Sequence, residues 1–116
     1  MIHHIAIATP QLTLMSEFYK TLPGLTWKED KFTETGDLRS VWFEVEGTSS
    51  ILMLEKFPYS KAPEALIFQM NSAFQNYPVQ ISKQTEYTIY FLDPDKNQLG
   101  YSSYPIKMSV YLKLGR

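Results

Sequence analysis

The sequence predicts an α+β fold assembled from two βαβββ halves, the second with a shortened helix. Three observations point to it. Short β-rich runs outnumber the one segment of clear helical period, turn residues separate those runs, and the chain overlays on itself. Sliding by 47 residues places SVWFEVEGTSSILMLEKFP over YTIYFLDPDKNQLGYSSYP, both reading strand, acidic turn, strand, aromatic, proline. Sliding by 61 residues places HIAIATPQ over ALIFQMNS. The offsets differ by 14, so the second half lacks 14 residues between its first strand and its final hairpin, most of them from the helix. An ordinary α+β domain whose hairpins resemble each other by chance is the alternative reading.

Residues 2–8 (IHHIAIA) read as a strand ended by Thr9-Pro10. In LTLMSEFYKTL the apolar residues Leu12, Met15, Phe18, Tyr19 and Leu22 recur at helical spacing, and Pro23-Gly24 stops the helix. Strands follow over 25–32, 39–45 and 50–57, the last two joined by a tight turn at Glu46-Gly47-Thr48. In the second half, 64–70 reads as a strand and 72–77 as one or two helical turns. The segments 79–85, 87–92 and 98–104 read as strands, with Asp93-Pro94-Asp95-Lys96-Asn97 as a hairpin turn. The tail 106–116 (IKMSVYLKLGR) has a spacing that suits strand and helix alike. It is expected to pack over the space left by the shortened helix or to extend a dimer contact.

The chain has 116 residues, one domain's worth, and enough to bury a core without staples. It has no cysteine, which excludes disulfide frameworks, thiolate metal sites and a cysteine nucleophile together. Lys and Arg number 11 against 12 Asp and Glu, a formal charge of −1, which argues against a nucleic-acid footprint. The apolar runs are too short to cross a bilayer and the N-terminal segment lacks a basic targeting region, so a cytoplasmic location is expected. Aromatic content is high, at 15%, which suits strands and also the lining of a small-molecule pocket. Neither a phosphate-cradling glycine loop nor a nucleophile-elbow serine is found. Arg39 and Lys56 are candidate anion contacts, although a lone basic residue is more often a surface charge.

HIAIATPQL followed by FY, the paired strands VWFEV and ILMLE, and YFLDPDKNQLGYSSYP together resemble the vicinal oxygen chelate superfamily. That group contains glyoxalase I, fosfomycin- and bleomycin-resistance proteins and extradiol dioxygenases. The resemblance covers about residues 2 to 105, and the strand–DPDxN–strand piece is its most specific part. It implies a glyoxalase/bleomycin-resistance-like single domain of residues 1–116. Within it are cup-shaped mixed sheets in modules at about 1–58 and 63–105, and a tail at 106–116. It also implies a homodimer whose facing modules enclose a cleft. In metal-dependent members, up to four side chains from the first and last strands of each module hold a divalent ion, which polarises vicinal oxygens.

Carried over position by position, the resemblance places the first ligand on His4 and the second, where Glu is usual, on Met53. The third, normally His, falls on Ala65, and the fourth, normally Glu, on Gly100. The internal overlay pairs the same residues, His4 with Ala65 and Met53 with Gly100. Ala and Gly offer no donor and Met only a soft thioether, so no cofactor is expected. The alternative is a divalent metal held by His4 and Glu55, since Glu55 lies two residues beyond Met53 on the same strand face. His3 should point to the opposite face from His4. Strand parity groups His4, Ala6, Ala8, Met53 and Glu55, and likewise Ala65, Ile67, Gln69, Gln98, Gly100, Ser102 and Tyr104. Small residues in place of bulky ligands are expected to enlarge the cup, with Glu55, Gln69 and Tyr104 orienting a bound molecule.

Two functions follow as expectations. The first is a small-molecule-binding protein, without the usual metal, with His4, Met53, Glu55, Gln69, Gly100 and Tyr104 around the ligand in a homodimer cleft. The second is a divalent-metal-dependent lyase, isomerase or dioxygenase acting on a small carbonyl or vicinal-oxygen compound, with His4 and Glu55 as its working residues. Neither nucleic acid nor membrane is an expected partner.

Overall fold

Alternation of large Ile5 and Ile7 with small Ala6 and Ala8 marks strand β1 (His4–Thr9), and the helical-period segment produces α1 (Leu12–Tyr19). The computed structural model describes residues 2–70 and 80–114. After α1 come β2 (Leu25–Phe32), β3 (Leu38–Val45) and β4 (Ile51–Lys56). They form a four-stranded sheet in the order β1-β4-β3-β2, with β1 parallel to β4 and the other pairs antiparallel. No side-chain cap holds the short α1; its stability comes from burying Leu12, Met15 and Tyr19 against β3 and β4. The helix stops at Tyr19 rather than Leu22. The N–H groups of Thr21 and Leu22 turn instead to the carbonyls three residues back, at 3.0 and 3.1 Å. Gly47 adopts φ 77° in the predicted β3–β4 turn, a conformation that suits glycine.

The second half contains β5 (Leu66–Gln69), β6 (Lys83–Gln84), β7 (Thr88–Leu92), β8 (Gln98–Ser102) and α2 (Met108–Leu114). Its sheet runs β5-β8-β7-β6, again with the first strand parallel to the last. The chain divides into two compact units, Met1–Pro63 and Glu64–Arg116. The helical turns expected over 72–77 lie outside the described residues.

Strand register bears out the internal duplication. Ala6 pairs with Met53 in the first sheet, and Ile67 pairs with Gly100 in the second. Those two pairs are related by the offsets 61 and 47 read from the sequence. The offset of 47 fails across the hairpin, however. Trp42 opposes Met53 as Tyr90 opposes Gly100, so β3 maps onto β7 at 48, because the second hairpin loop is one residue shorter. Burial agrees with the corrected offset. Ser40, Val41 and Phe43 are buried and Glu44 exposed, as Thr88, Ile89 and Phe91 are buried and Leu92 exposed.

Strands of the second half are shorter than their sequence patterns, and β5 keeps only Leu66–Gln69 of 64–70. Of 79–85, only Lys83–Gln84 forms a strand among the described residues, because a turn at Thr85–Thr88 takes over the hydrogen bonding. Strand β8 ends at Ser102 rather than Tyr104. The Ser103 N–H donates to the Tyr87 carbonyl, its hydroxyl donates to the Ile106 carbonyl, and Pro105 has no N–H for the ladder. The tail resolves as a helix, anchored by fully buried Met108, whose N–H donates to the Glu86 carbonyl at 2.8 Å.

The DPDKN segment is a structural device. Asp93 is buried, and one of its carboxylate oxygens accepts the backbone N–H groups of Asp95 and Asn97, both at 2.9 Å. The other accepts the Asn97 side-chain amide at 2.8 Å. Behind this hairpin, Phe91 stacks on Tyr101 with ring centroids 5.7 Å apart, an apolar pairing that holds β7 to β8.

Candidate functional site

Each strand of the first sheet turns one face toward α1 and leaves the other open, as the two-residue period requires. Ile7, Thr9, Val41, Phe43, Leu52 and Leu54 are fully or almost fully buried on the helix side. His4, Ala6, Ala8, Ser40, Trp42, Ile51, Met53 and Glu55 occupy the open face. On that face a cavity of about 220 Å³ is lined by His3, His4, Arg39, Ser40, Trp42, Ile51, Met53 and Glu55. The parity argument therefore places His4, Met53 and Glu55 together correctly. A second hollow of about 310 Å³ lies beside β1, lined by Ala6, Ile7, Ala8, Glu55, Phe57, Lys61, Ala62 and Pro63. The backbone of Lys61 bridges to that of Ala8 at this edge.

Trp42 is the residue that sequence reasoning missed. It sits opposite Met53, with its indole N–H donating to the Ser40 hydroxyl at 3.1 Å and the Lys31 ammonium 4.9 Å from its ring centroid. These contacts hold the half-buried ring in one orientation. The signal was present in the β3–β4 hairpin, whose register sets Trp42 beside Met53, but the uncorrected one-residue slip hid its equivalence to Tyr90. His3 corrects an expectation as well. It precedes β1, so strand alternation does not govern it. Its ring packs edge-on against that of His4 with centroids 5.2 Å apart, the two Nδ1 atoms 3.0 Å from one another.

The strand register spaces the two candidate metal donors along the sheet. His4 pairs with Ile51 and Ala8 with Glu55, which puts His4 and Glu55 four residues apart along neighbouring parallel strands. That is roughly 13 Å between their backbone positions, so both side chains would have to reach fully toward one another to share an ion. Among the described residues, no group of three or more His, Cys, Asp and Glu side chains is placed to hold a metal ion.

The second sheet presents a different face. Gly100 is buried, and a β-carbon there would lie 2.9 Å from the Ile67 Cδ1, 2.9 Å from the Ile89 carbonyl oxygen and 3.2 Å from the Thr88 Cγ2. The small residue therefore does not enlarge a cup, because Ile67 and Thr88 fill the space. Ala65 lies just before β5 and Gln69 is exposed at its end. Tyr104 lies in the turn past β8, 72% exposed, with its ring edge-on to Tyr87 at 5.1 Å, so strand parity does not place it.

No protein-family model matches the sequence, and no curated protein matches it. Solved structures do. A mutant of the fosfomycin resistance protein FosX from Listeria monocytogenes, in complex with Mn(II) and 1S,2S-dihydroxypropylphosphonic acid, matches with a TM-score of 0.67 at 13% identity. The match covers 97% of each chain. FosX from Mesorhizobium loti gives 0.66 at 12% identity, again over 97% of each chain. Lactoylglutathione lyase from Agrobacterium tumefaciens gives 0.61 at 16%, over 88% of this chain and 92% of its own. The chain shares the fold of these glyoxalase-like and fosfomycin-resistance structures. No helix among the described residues is long and apolar enough to cross a membrane.

Proposed function

We propose that this protein binds a small organic molecule on the open face of its first sheet, as a homodimer and without the divalent ion of metal-dependent superfamily members. The carrying observation is one cavity that gathers a pinned Trp42, the thioether of Met53, the imidazoles of His3 and His4, and the carboxylate of Glu55. Apolar walls with a few fixed polar groups are what a small ligand needs: area to bury, and contacts that set its orientation. Of the four positions where the superfamily resemblance expects donors, only His4 carries a hard or borderline one. Apolar side chains left exposed on the second sheet, Ile67 and Leu92, support the dimer. Light scattering at micromolar concentration should then give twice the chain mass, and a monomer would refute this part.

The ligand itself is tested by a fragment screen on a Trp27→Phe variant, in which Trp42 is the sole indole reporter. Bound fragments should change Trp42 emission saturably and raise the melting temperature. A screen in which no fragment does either refutes the reading. A metal-dependent lyase, isomerase or dioxygenase would require His4 and Glu55 to act on one ion, which their register opposes. Stoichiometric Ni, Mn, Zn or Fe in purified protein, lost together with stability in His4→Ala, would restore it.

A further inference from the structure

Glu55 is the one residue shared by the hollow beside β1 and the smaller hollow under Trp42. Its side chain is half-buried, and among the described residues it makes no hydrogen bond or ion pair. Neighbouring carboxylates are differently placed: Glu44 pairs with Lys28 at 3.5 Å and Glu29 with Lys31 at 3.3 Å. Arg39 and Lys61, one in each hollow, are exposed and neither pairs with Glu55. Around the carboxylate the walls are mostly apolar, from Met53 and Trp42 on one side and Ala6, Ala8 and Phe57 on the other.

An occupant of either hollow strips water from Glu55. A neutral molecule offers the carboxylate at most an uncharged hydrogen bond in place of its water, and an anion would add repulsion, so both are penalised. A protonated amine replaces the lost water with a charge-assisted hydrogen bond, while its apolar body covers Met53 and Trp42. Resting on the small-molecule reading above, we infer that the ligand of this site is an amine on an apolar or aromatic body, its ammonium seated on Glu55 where the two hollows meet.

Phenethylamine, its neutral isostere 2-phenylethanol and the acid 3-phenylpropanoate serve as probes, titrated against the folded Trp27→Phe protein by Trp42 emission. The amine should bind at least about tenfold more tightly than the alcohol, and the acid more weakly still. Glu55→Gln should abolish the preference for the amine. Glu44→Gln, which removes the same charge from the same sheet face, should leave it intact, and unchanged melting curves would show both variants folded. Equal binding of the three probes, or an equal loss in both variants, overturns the inference. If none of the three binds while other fragments still shift Trp42, the amine assignment falls and the small-molecule reading stands. If no fragment shifts Trp42, both fall.

Discussion

The two four-stranded sheets share strand order, a parallel first and last strand, and an equivalent register, yet their open faces are built in opposite ways. In the first sheet, small Ala6 on β1 opposes large Met53 on β4. In the second, large Ile67 on β5 opposes Gly100 on β8. The bulk has moved across the pair. Met53 forms the wall of an open cavity, whereas Ile67 folds over Gly100 and closes the equivalent space. A shared backbone frame thus leaves the presence of a binding face to side-chain volume at one cross-strand pair.

The largest effect should come from forcing a carboxylate into the closed face. Gly100→Glu would drive a β-carbon into the Ile89 carbonyl and bury a charge. It should cost at least about 3 kcal/mol in urea unfolding, or prevent folding. Met53→Glu, the matching change on the open face, should cost less than about 1 kcal/mol, since the new carboxylate reaches solvent through the cavity. If the two substitutions cost the same, the contrast between the faces is wrong. Asp93→Ala removes the acceptor for three N–H donors in the second hairpin and should cost about 2 kcal/mol by the same assay. Ile67→Ala should cost about 1 kcal/mol, since the side chain is 40% exposed, and should open a hollow above Gly100 visible in a crystal structure.

Much of this contrast was legible in the residues. The offsets of 61 and 47 identified Ala6 with Ile67 and Met53 with Gly100, and the parallel register bears out both. Parity also brought His4, Met53 and Glu55 to one face. Three features were not legible, each for a physical reason. The shorter second hairpin hid behind similar turn chemistry, and the resulting slip obscured Trp42. Gly100 read as free space because a sequence does not show which neighbour leans into a gap; Ile67 does. Tyr104 read as part of a strand because alternation continued through it, although Ser103 and Pro105 divert the backbone into a turn.

The most direct test is backbone amide shift mapping by NMR, using a fragment that changes Trp42 emission. Shifts concentrated on His4, Ser40, Trp42, Met53 and Glu55, with Ile67, Thr88 and Gly100 unmoved, are the predicted result. Shifts centred on Ile67 and Gly100, or spread equally over both sheets, would contradict the assignment of the binding face.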